Sequence, residues 1–219
     1  MLSIENGTAP FATNPHSLRV RGGAADGISN PGYWGIGVRA GVGFRLSVYA
    51  LTVAAGSGGG VRLNASVRCA SGEAVSYAVL TAASAGSGWH LLNASLPPPP
   101  RPCGGHQDGG RFELTLVQEG SEVLLDGISL KHEDAVEGLF RKDVFEKVKA
   151  MAPGFVRSPG GNYLEGFGPR TRWDWKATVG PPAARRGHYN AAWGYWVTDG
   201  LGVFELLRLS ELLGCDSQV

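Results

Sequence analysis

The hydrophobic period of this chain changes near residue 135, and that change limits the folds that the chain can adopt. Before it, apolar and polar residues alternate, as they do in half-buried antiparallel strands. In FRLSVYALTV one face carries the apolar residues Phe44, Leu46, Val48 and Ala50. In VRLNASVRCA the apolar face carries Val61, Leu63, Ala65, Val67 and Cys69, and the polar face carries Arg62, Asn64, Ser66 and Arg68. RFELTLVQ and EVLLDGISL repeat this period, so the first half is predicted to be a β-sandwich.

The breaks between these segments are rich in glycine and proline. AAGSGGG and LPPPPRPCGGHQDGG cannot continue strands, and we predict that both are exposed loops. GIGVRAGVG, residues 35–43, superficially resembles a nucleotide-binding loop, but it lacks the Lys-Ser/Thr of a P-loop and does not lie between a strand and a helix. We interpret it as a turn of the β domain, and no cofactor or metal site is predicted.

From about Gly138 onward, apolar residues recur every three or four positions. The segment GLFRKDVFEKVKAM therefore predicts an amphipathic helix that stops at Pro153. Its apolar face carries Phe140, Val144, Val148 and Met151, and its polar side carries the pairs Lys142/Glu146 and Asp143/Lys147. A short apolar strand, GFV, follows this helix.

A second helix is predicted from Gly200 to Leu213, with Thr198 or Asp199 as its cap and Gly214 just past its end. A helix, a short strand, a long loop and a helix in this order are typical of an α/β barrel. We therefore predict two domains, a β-sandwich over residues 1–134 and an α/β segment over residues 135–219.

The overall charge and hydropathy exclude several classes of partner. A net charge of +1 gives no electrostatic reason to expect nucleic acid or an anionic membrane surface. No run approaches the ~20 apolar residues of a membrane-spanning helix. The first twenty residues lack the basic start and the apolar core of a signal peptide. We therefore expect either that the protein is not secreted or that its true N-terminus is missing.

The three cysteines are too few and too scattered for a zinc site or a disulfide framework. A Cys69–Cys103 bridge is one alternative, and three unpaired thiols are the alternative that we expect. Sequons at Asn6, Asn64 and Asn93 are candidate glycosylation sites and mildly favour a secretory context. Asn64 lies on the predicted polar face, where a glycan would be accommodated.

The most unusual run is VRSPGGNYLEG, residues 156–166. In an α/β barrel, functional residues lie on the loops after the strands, so Arg157 would place a permanent cation at the barrel mouth. The following Pro-Gly-Gly would form a tight turn that allows close backbone approach. Asn162 adds a donor and an acceptor suited to sugar hydroxyls. The residues leave open a structural alternative, in which Arg157 pairs with an acidic residue and the glycines only close a loop.

Aromatic residues dominate the segment that follows, residues 170–202. It contains Trp173, Trp175, Tyr189, Trp193, Tyr195 and Trp196. Exposed aromatic rings at a barrel mouth suit the apolar faces of sugar rings, although we expect some of these residues in the core. His188 has no visible partner, and we interpret it as structural. In the first domain, Tyr33 and Trp34 could form a sugar platform, but we expect them in the core.

Several of these motifs, in this order, resemble the α-L-arabinofuranosidases of glycoside hydrolase family fifty-one. They are RSPGGNYLEG from Arg157, W-x-x-x-VGP from Trp175, RGH from Arg186, WGYW from Trp193 and TDGLG from Thr198. NPHSLRV, SNPGYWGIGVRAG and LLDGISL resemble the carbohydrate-binding-module-like sandwich, of jelly-roll type, that some members insert between the first barrel strand and the first helix. The resemblance implies such a sandwich followed by an incomplete part of a (β/α)8 TIM barrel.

The resemblance also implies a function. Members of this family are retaining hydrolases that remove terminal arabinofuranose from arabinan- or arabinoxylan-type polysaccharides, which implies a secreted or wall-associated protein. It implies that Arg157 and Asn162 hold the terminal sugar and the catalytic carboxylates, and that Trp193 borders the sugar cleft. Arg186 stands where the family has a proline, a departure from the family pattern.

The catalytic residues that the resemblance implies are not matched in this chain. Retaining glycosidases use two carboxylates about 5–5.5 Å apart, and in this family both come from later barrel strands, with a further glutamate on the first strand. Glu165 belongs to the loop motif and Glu205 to a predicted helix, so neither is a catalytic candidate. We expect an inactive fragment of a larger enzyme. The alternatives are a non-catalytic polysaccharide-binding sandwich and a sandwich with a degenerate tail.

Overall fold

The computed structural model describes residues 1–56, 59–104 and 109–218. The chain divides into two compact units. The sandwich unit comprises Met1–Pro10 and Pro15–Arg141, and the α/β unit comprises Phe11–Asn14 and Lys142–Val219. The boundary predicted from the sequence, between residues 134 and 135, lies before the observed boundary between Arg141 and Lys142. The predicted loops AAGSGGG and LPPPPRPCGGHQDGG fall partly on residues 57–58 and 105–108, which lie outside the described residues.

Two β-sheets form the sandwich unit. One has the strand order β1-β2-β9-β4-β7 and the other β3-β8-β5-β6. The strands are β1 Leu2–Phe11, β2 Asn14–Gly22, β3 Gly27–Asn30, β4 Phe44–Ala54, β5 Arg62–Arg68, β6 Ala74–Thr81, β7 His90–Leu96, β8 Arg111–Leu116 and β9 Ser121–His132. Six strand pairs are antiparallel: β2–β9, β3–β8, β4–β7, β4–β9, β5–β6 and β5–β8. The predicted sandwich is thus confirmed.

The inner faces of both sheets contribute to one hydrophobic core. The predicted apolar faces of β4 and β5 are confirmed, because Phe44, Leu46, Val48, Leu63, Ala65 and Val67 are all at most 2% exposed. Ser66, expected on the polar face, is instead buried. Its cross-strand neighbours are Tyr77 on β6 and Glu113 on β8, so this small side chain lies between two longer ones.

Cys69 and Cys103 form a disulfide bond, so the expectation of three unpaired thiols is wrong for these two residues. Cys69 follows β5 and is buried in the core, and Cys103 lies in the proline-rich loop. The bond therefore fixes that loop to the end of β5. Sequence spacing does not reveal such a bond, because its formation depends on where the loop returns. Cys215 is a free thiol.

The loop between β3 and β4 presents Tyr33 and Trp34 to solvent, which contradicts the core position expected for them. The two side chains are 89% and 63% exposed, and their rings meet edge to face with centroids 5.9 Å apart. Trp34 has a φ of 61°, which is unusual for a bulky residue. Before the two rings, the Asn30 carboxamide oxygen accepts a hydrogen bond from the Gly32 N–H. After them, Ile36 and Gly110 exchange two backbone hydrogen bonds. Hydrogen bonds therefore hold the loop backbone on both sides of the two exposed rings.

The α/β unit contains short elements separated by long loops. They are α1 Lys142–Ala150, β10 Phe155–Arg157, α2 Asn162–Glu165, β11 His188–Asn190, β12 Tyr195–Val197, α3 Val203–Leu213 and β13 Asp216–Gln218, with 3₁₀ turns at Trp175–Thr178 and Pro182–Ala184. β10 and β13 pair in parallel, and α3 lies in the connection between them. This confirms the predicted strand GFV and the α/β character, and the described residues form no closed barrel. Nor does any described helix have the length and apolarity needed to cross a membrane.

Helix α1 confirms the first predicted helix but not its predicted apolar face. Phe145 is the buried residue of this helix, whereas Val144 is 50% and Met151 78% exposed. Two of the four predicted residues lie outside the helix, because Phe140 forms a bridge with Val136 before it begins and Met151 follows its last residue. Of the two predicted ion pairs, Lys142/Glu146 is present, with Lys142 Nζ 3.9 Å from Glu146 Oε1.

Helix α3 confirms the second predicted helix, although it begins later in the sequence. It spans Val203–Leu213 rather than starting at Gly200, and neither Thr198 nor Asp199 is its N-cap. Gly214 follows it with a φ of 75°, the left-handed conformation that ends many helices, as predicted.

The N-terminus of α3 is capped by residues that the sequence did not indicate. The Glu205 carboxylate accepts a hydrogen bond from the Gly202 N–H at 2.7 Å. The Thr178 hydroxyl accepts one from the Val203 N–H at 3.0 Å. These bonds satisfy donors that would otherwise be left without partners at the start of the helix.

Candidate functional site

The Arg157–Asn162 loop begins at the C-terminal end of β10, where the parallel strand β13 ends beside it. Arg157 is the last residue of β10 and pairs with Gln218. The Ser158 N–H donates a hydrogen bond to the Gln218 carbonyl at 3.0 Å, and the next peptide bond, to Pro159, is cis. Asn162 begins α2, and both Arg157 and Asn162 are exposed. Two polar side chains therefore stand on one loop at the carboxyl end of a parallel strand pair.

Two glycines give this loop its shape. Gly160 and Gly161 have φ values of 70° and 60°, which only glycine adopts without strain. A Cβ atom on Gly160 would lie 2.9 Å from Cζ of Arg157. The guanidinium therefore folds back against the turn, and the absence of a side chain at residue 160 leaves room for it.

An aromatic hairpin forms a second part of the unit. β11 and β12 pair antiparallel, with Tyr189 opposite Trp196 and Asn190 opposite Tyr195. The buried Asn190 carboxamide accepts a hydrogen bond from the Trp193 N–H at 3.0 Å, which fixes the connecting turn. Trp193 is 59% exposed, and the Tyr189, Tyr195 and Trp196 side chains are also more than half exposed. Trp173, by contrast, is buried, so the aromatic residues divide between surface and core as expected.

His188 has a partner that the sequence did not reveal. Its Nδ1–H donates to Oδ2 of Asp199 at 3.1 Å, and Asp199 is 2% exposed. The Tyr163 ring meets the His188 ring edge to face, with centroids 5.7 Å apart. Burial, together with the negative charge of Asp199 and the proximity of Tyr195, raises the pKa of Tyr163 to about 12. A tyrosine of ordinary pKa is already protonated at physiological pH, so the Tyr163 hydroxyl is a neutral hydrogen-bond donor there.

Arg185 is extensively hydrogen-bonded within the α/β unit, and its side chain is only 2% exposed. It donates to both carboxylate oxygens of Glu205, at 2.8 and 3.1 Å. It also donates to the Asp199 carbonyl at 2.7 Å and twice to the Gly180 carbonyl, at 2.7 and 3.1 Å. The buried guanidinium thus holds together the loop before β11, the loop after β12 and the start of α3.

The environment of Glu205 argues against a role as catalytic acid. Burial alone would raise its pKa, but hydrogen bonds from Arg185 and from the Gly202 N–H outweigh burial and hold the pKa of Glu205 below its usual value. A catalytic acid needs a raised pKa. Glu165 lies exposed on α2. In the described ranges, no group of three or more His, Cys, Asp or Glu side chains is arranged to hold a metal ion.

The three sequons lie on strands of the sandwich sheets. Asn6 on β1 is exposed, and its side-chain oxygen lies 2.7 Å from His16 Nδ1. Asn93 on β7 is also exposed. Asn64 on β5 is half-buried.

The predicted substrate-binding residues lie on two different loops. Arg157 and Asn162 share one loop and Trp193 belongs to the aromatic hairpin; in the described part of the chain no hydrogen bond joins their side chains. The pairs that sequence reasoning missed, His188–Asp199 and Arg185–Glu205, are 11 and 20 residues apart. Each pair joins residues on different elements or loops, so the sequence carried no local signal for it.

Comparison with known proteins identifies relatives of this chain. Residues 147–218 match the family model described as the alpha-L-arabinofuranosidase 1 domain. The chain is 33% identical over 195 residues to alpha-L-arabinofuranosidase 1 of Arabidopsis thaliana, covering 86% of this chain and 26% of that protein. It is 31% identical over 207 residues to an extracellular exo-alpha-L-arabinofuranosidase of Streptomyces chartreusis, covering 88% and 23%.

A solved structure agrees with these relatives. The structure of the arabinose-bound MgGH51 α-L-arabinofuranosidase matches 99% of this chain and 36% of its own, with a TM-score of 0.84 and 27% identity. The resemblance inferred from the sequence is thereby confirmed. The chain spans about a quarter of the length of these two curated relatives.

Proposed function

We propose that this chain, a partial relative of the glycoside hydrolase family fifty-one α-L-arabinofuranosidases, is part of an enzyme that removes terminal arabinofuranose from arabinan- or arabinoxylan-type polysaccharides. The observation that carries the proposal is the Arg157–Asn162 loop, which lies at the carboxyl end of β10 within the residues that match the family. The two carboxylates of a retaining mechanism are proposed to lie outside these 219 residues.

The proposed roles follow from the chemistry of each exposed side chain. Arg157 offers a fixed set of guanidinium donors, which can bind sugar oxygens and orient carboxylates supplied by the rest of the enzyme. Asn162 offers both a donor and an acceptor to sugar hydroxyls. Trp193 presents an apolar ring face of the kind that packs against a furanose. The first 134 residues are proposed to be the inserted carbohydrate-binding-module-like sandwich, and the rest the N-terminal portion of the catalytic barrel.

In the native polypeptide, Arg157→Ala is expected to lower kcat/KM on an aryl α-L-arabinofuranoside about 100-fold, or about 2.7 kcal/mol. The physical reason is the loss of charge-assisted hydrogen bonds to the sugar and to the catalytic carboxylates. Arg62→Ala, which removes an exposed arginine from β5, is the matched control and is expected to leave turnover unchanged. Wild-type turnover in the Arg157 variant would remove the role proposed for this residue.

The size and location of the native protein test the rest of the proposal. An immunoblot with an antibody raised against the sandwich is expected to show a band far above the mass of 219 residues. We propose a secreted or wall-associated location, supported by the Cys69–Cys103 disulfide, which fits an oxidising compartment, and by the exposed Asn6 and Asn93. Removal of N-glycans is therefore expected to shift the band. A band at the mass of this chain would overturn the enzyme proposal and leave sugar binding to be tested.

Polysaccharide binding by the sandwich itself is a second candidate function. Its support is the anchored loop that exposes Tyr33 and Trp34, with Trp34 in a backbone conformation that bulky residues rarely adopt. Such conformations persist where the surrounding structure enforces them, and they concentrate at functional sites. Two rings meeting edge to face form a corner that suits the apolar face of a sugar.

Retention of the 219-residue chain on insoluble arabinan or arabinoxylan tests this candidate. The double variant Tyr33→Ala/Trp34→Gly is expected to lower affinity at least tenfold, about 1.4 kcal/mol, because stacking on both rings is lost. Glycine at residue 34 suits the φ of 61°, so the loop conformation is kept. Tyr77→Ala, which removes an exposed ring from β6, is the control. Equal retention of both variants, or no retention of the parent chain, contradicts this candidate.

A further inference from the structure

A polar cavity of about 240 Å³ opens in the α/β unit between the segment before the first 3₁₀ turn and the start of β11. Three arginines line it: Arg170, Arg172 and Arg186. All three side chains are exposed, and in the described part of the chain none of them forms an ion pair with a carboxylate. The cavity therefore presents guanidinium donors that are free to bind a ligand.

The two carboxylates in the cavity wall are already engaged. Asp174 accepts a hydrogen bond from the Lys176 N–H at 3.2 Å and caps the first 3₁₀ turn. Asp199 is almost fully buried and accepts a hydrogen bond from His188. Among the described residues, neither carboxylate bonds to the lining arginines, so a ligand would not have to displace either of them.

The composition of the wall distinguishes this cavity from a stacking site. Apart from His188, no aromatic residue lines it, so it lacks the ring faces that hold neutral sugars. Planar guanidinium forks instead match carboxylate or phosphate oxygens two at a time. A volume of about 240 Å³ also greatly exceeds the ~30 Å³ share of one water molecule, so a bare ion would leave most of the space to solvent.

We propose that this cavity binds the carboxylate of a uronate residue, an acidic sugar on the polysaccharide that carries the arabinofuranose. The choice of a sugar-borne carboxylate rests on the proposed function, whereas the preference for an anion rests on the cavity alone. Arg170, Arg172 and Arg186 provide the donors, and the remaining volume accommodates the sugar ring. The enzyme would thereby favour acidic, branched polymers over neutral ones.

Titration of the 219-residue chain with methyl glucuronide, methyl glucoside and inorganic phosphate tests this proposal. We expect saturable binding of the glucuronide that weakens as salt rises, because exposed charge pairs are screened. No saturable binding of the neutral glucoside is expected. Arg172→Gln/Arg186→Gln is expected to weaken glucuronide binding at least tenfold, and Arg62→Gln, on the sandwich, is expected to leave it unchanged.

Each other outcome overturns the proposal. Equal binding of glucuronide and glucoside, or binding that survives the double substitution, would show that the arginines do not select a carboxylate. Phosphate binding as tight as that of the glucuronide would indicate a bare-anion site without a place for the sugar. The assay needs no catalysis, so its result is independent of arabinofuranoside turnover and of the Arg157→Ala experiment.

Discussion

Replacing Glu205 by alanine is expected to lower the free energy of unfolding of the α/β unit by about 3–5 kcal/mol. The guanidinium of Arg185 is almost fully buried and would lose the carboxylate that balances its charge. The Gly202 N–H at the start of α3 would lose its acceptor in the same step. Denaturant unfolding followed by tryptophan fluorescence measures the effect, since four of the six tryptophans, Trp173, Trp175, Trp193 and Trp196, lie in this unit.

Two further variants separate charge from packing. Glu205→Gln keeps an acceptor oxygen and is expected to fall between the parent chain and Glu205→Ala. Arg185→Met/Glu205→Leu removes both charges, and because no unpaired charge remains, it is expected to be more stable than Glu205→Ala. A Glu205→Ala variant as stable as the parent chain would show that the buried pair contributes nothing to holding the unit together.

The same pair predicts a pH dependence. The pKa of Glu205 is held below its ordinary value of 4.5 in the folded protein, so its contribution is fully present above about pH 4.5. The contribution is lost as the pH falls through the lower, folded-state pKa. The parent chain is therefore expected to lose stability on acidification below about pH 4.5, and Glu205→Ala is expected to lose less. Parallel unfolding curves at successive pH values measure this difference.

The sandwich could be predicted from the sequence because the alternation of apolar and polar residues is a local signal. A period of two in β4 and β5 predicts which side chains face inward, and the buried residues follow it except at Ser66. The same reasoning failed for α1, because Phe140 and Met151, which were counted in its period, lie before and after the helix. A residue count does not show where a helical period begins.

Only part of the candidate site could be predicted from the sequence. The Arg157–Asn162 loop is marked by its own composition, because two successive glycines and a proline signal a tight turn after a strand. Arg185, Glu205, His188 and Asp199 carry no such mark. Their contacts join loops brought together by the pairing of β11 with β12 and by the placement of α3, so they depend on tertiary structure. The lining of the arginine cavity depends on it in the same way.

Removal of the Cys69–Cys103 disulfide is expected to lower the free energy of unfolding of the sandwich unit by about 4 kcal/mol. The bond joins residues 34 apart in sequence, and the entropy lost by an unfolded chain with a closed loop of that length corresponds to about 4 kcal/mol. Cys69 is buried, so Cys69→Ala/Cys103→Ala is preferable to serine, which would add a buried hydroxyl to the core. Far-UV circular dichroism of the strands measures the unfolding of this unit.

Cys215→Ala is the matched control for this experiment. Its thiol is unpaired and makes one weak contact, 3.6 Å from the Ser210 carbonyl, so its removal is expected to leave the sandwich unchanged. A reducing agent should lower the stability of the parent chain to that of the double variant and have no effect on the double variant itself. If the parent chain unfolds at the same denaturant concentration with and without reductant, the bond does not stabilise the sandwich. The proline-rich loop would then be held by its other contacts, such as the hydrogen bond from the Gly41 N–H to the Pro99 carbonyl at 2.9 Å.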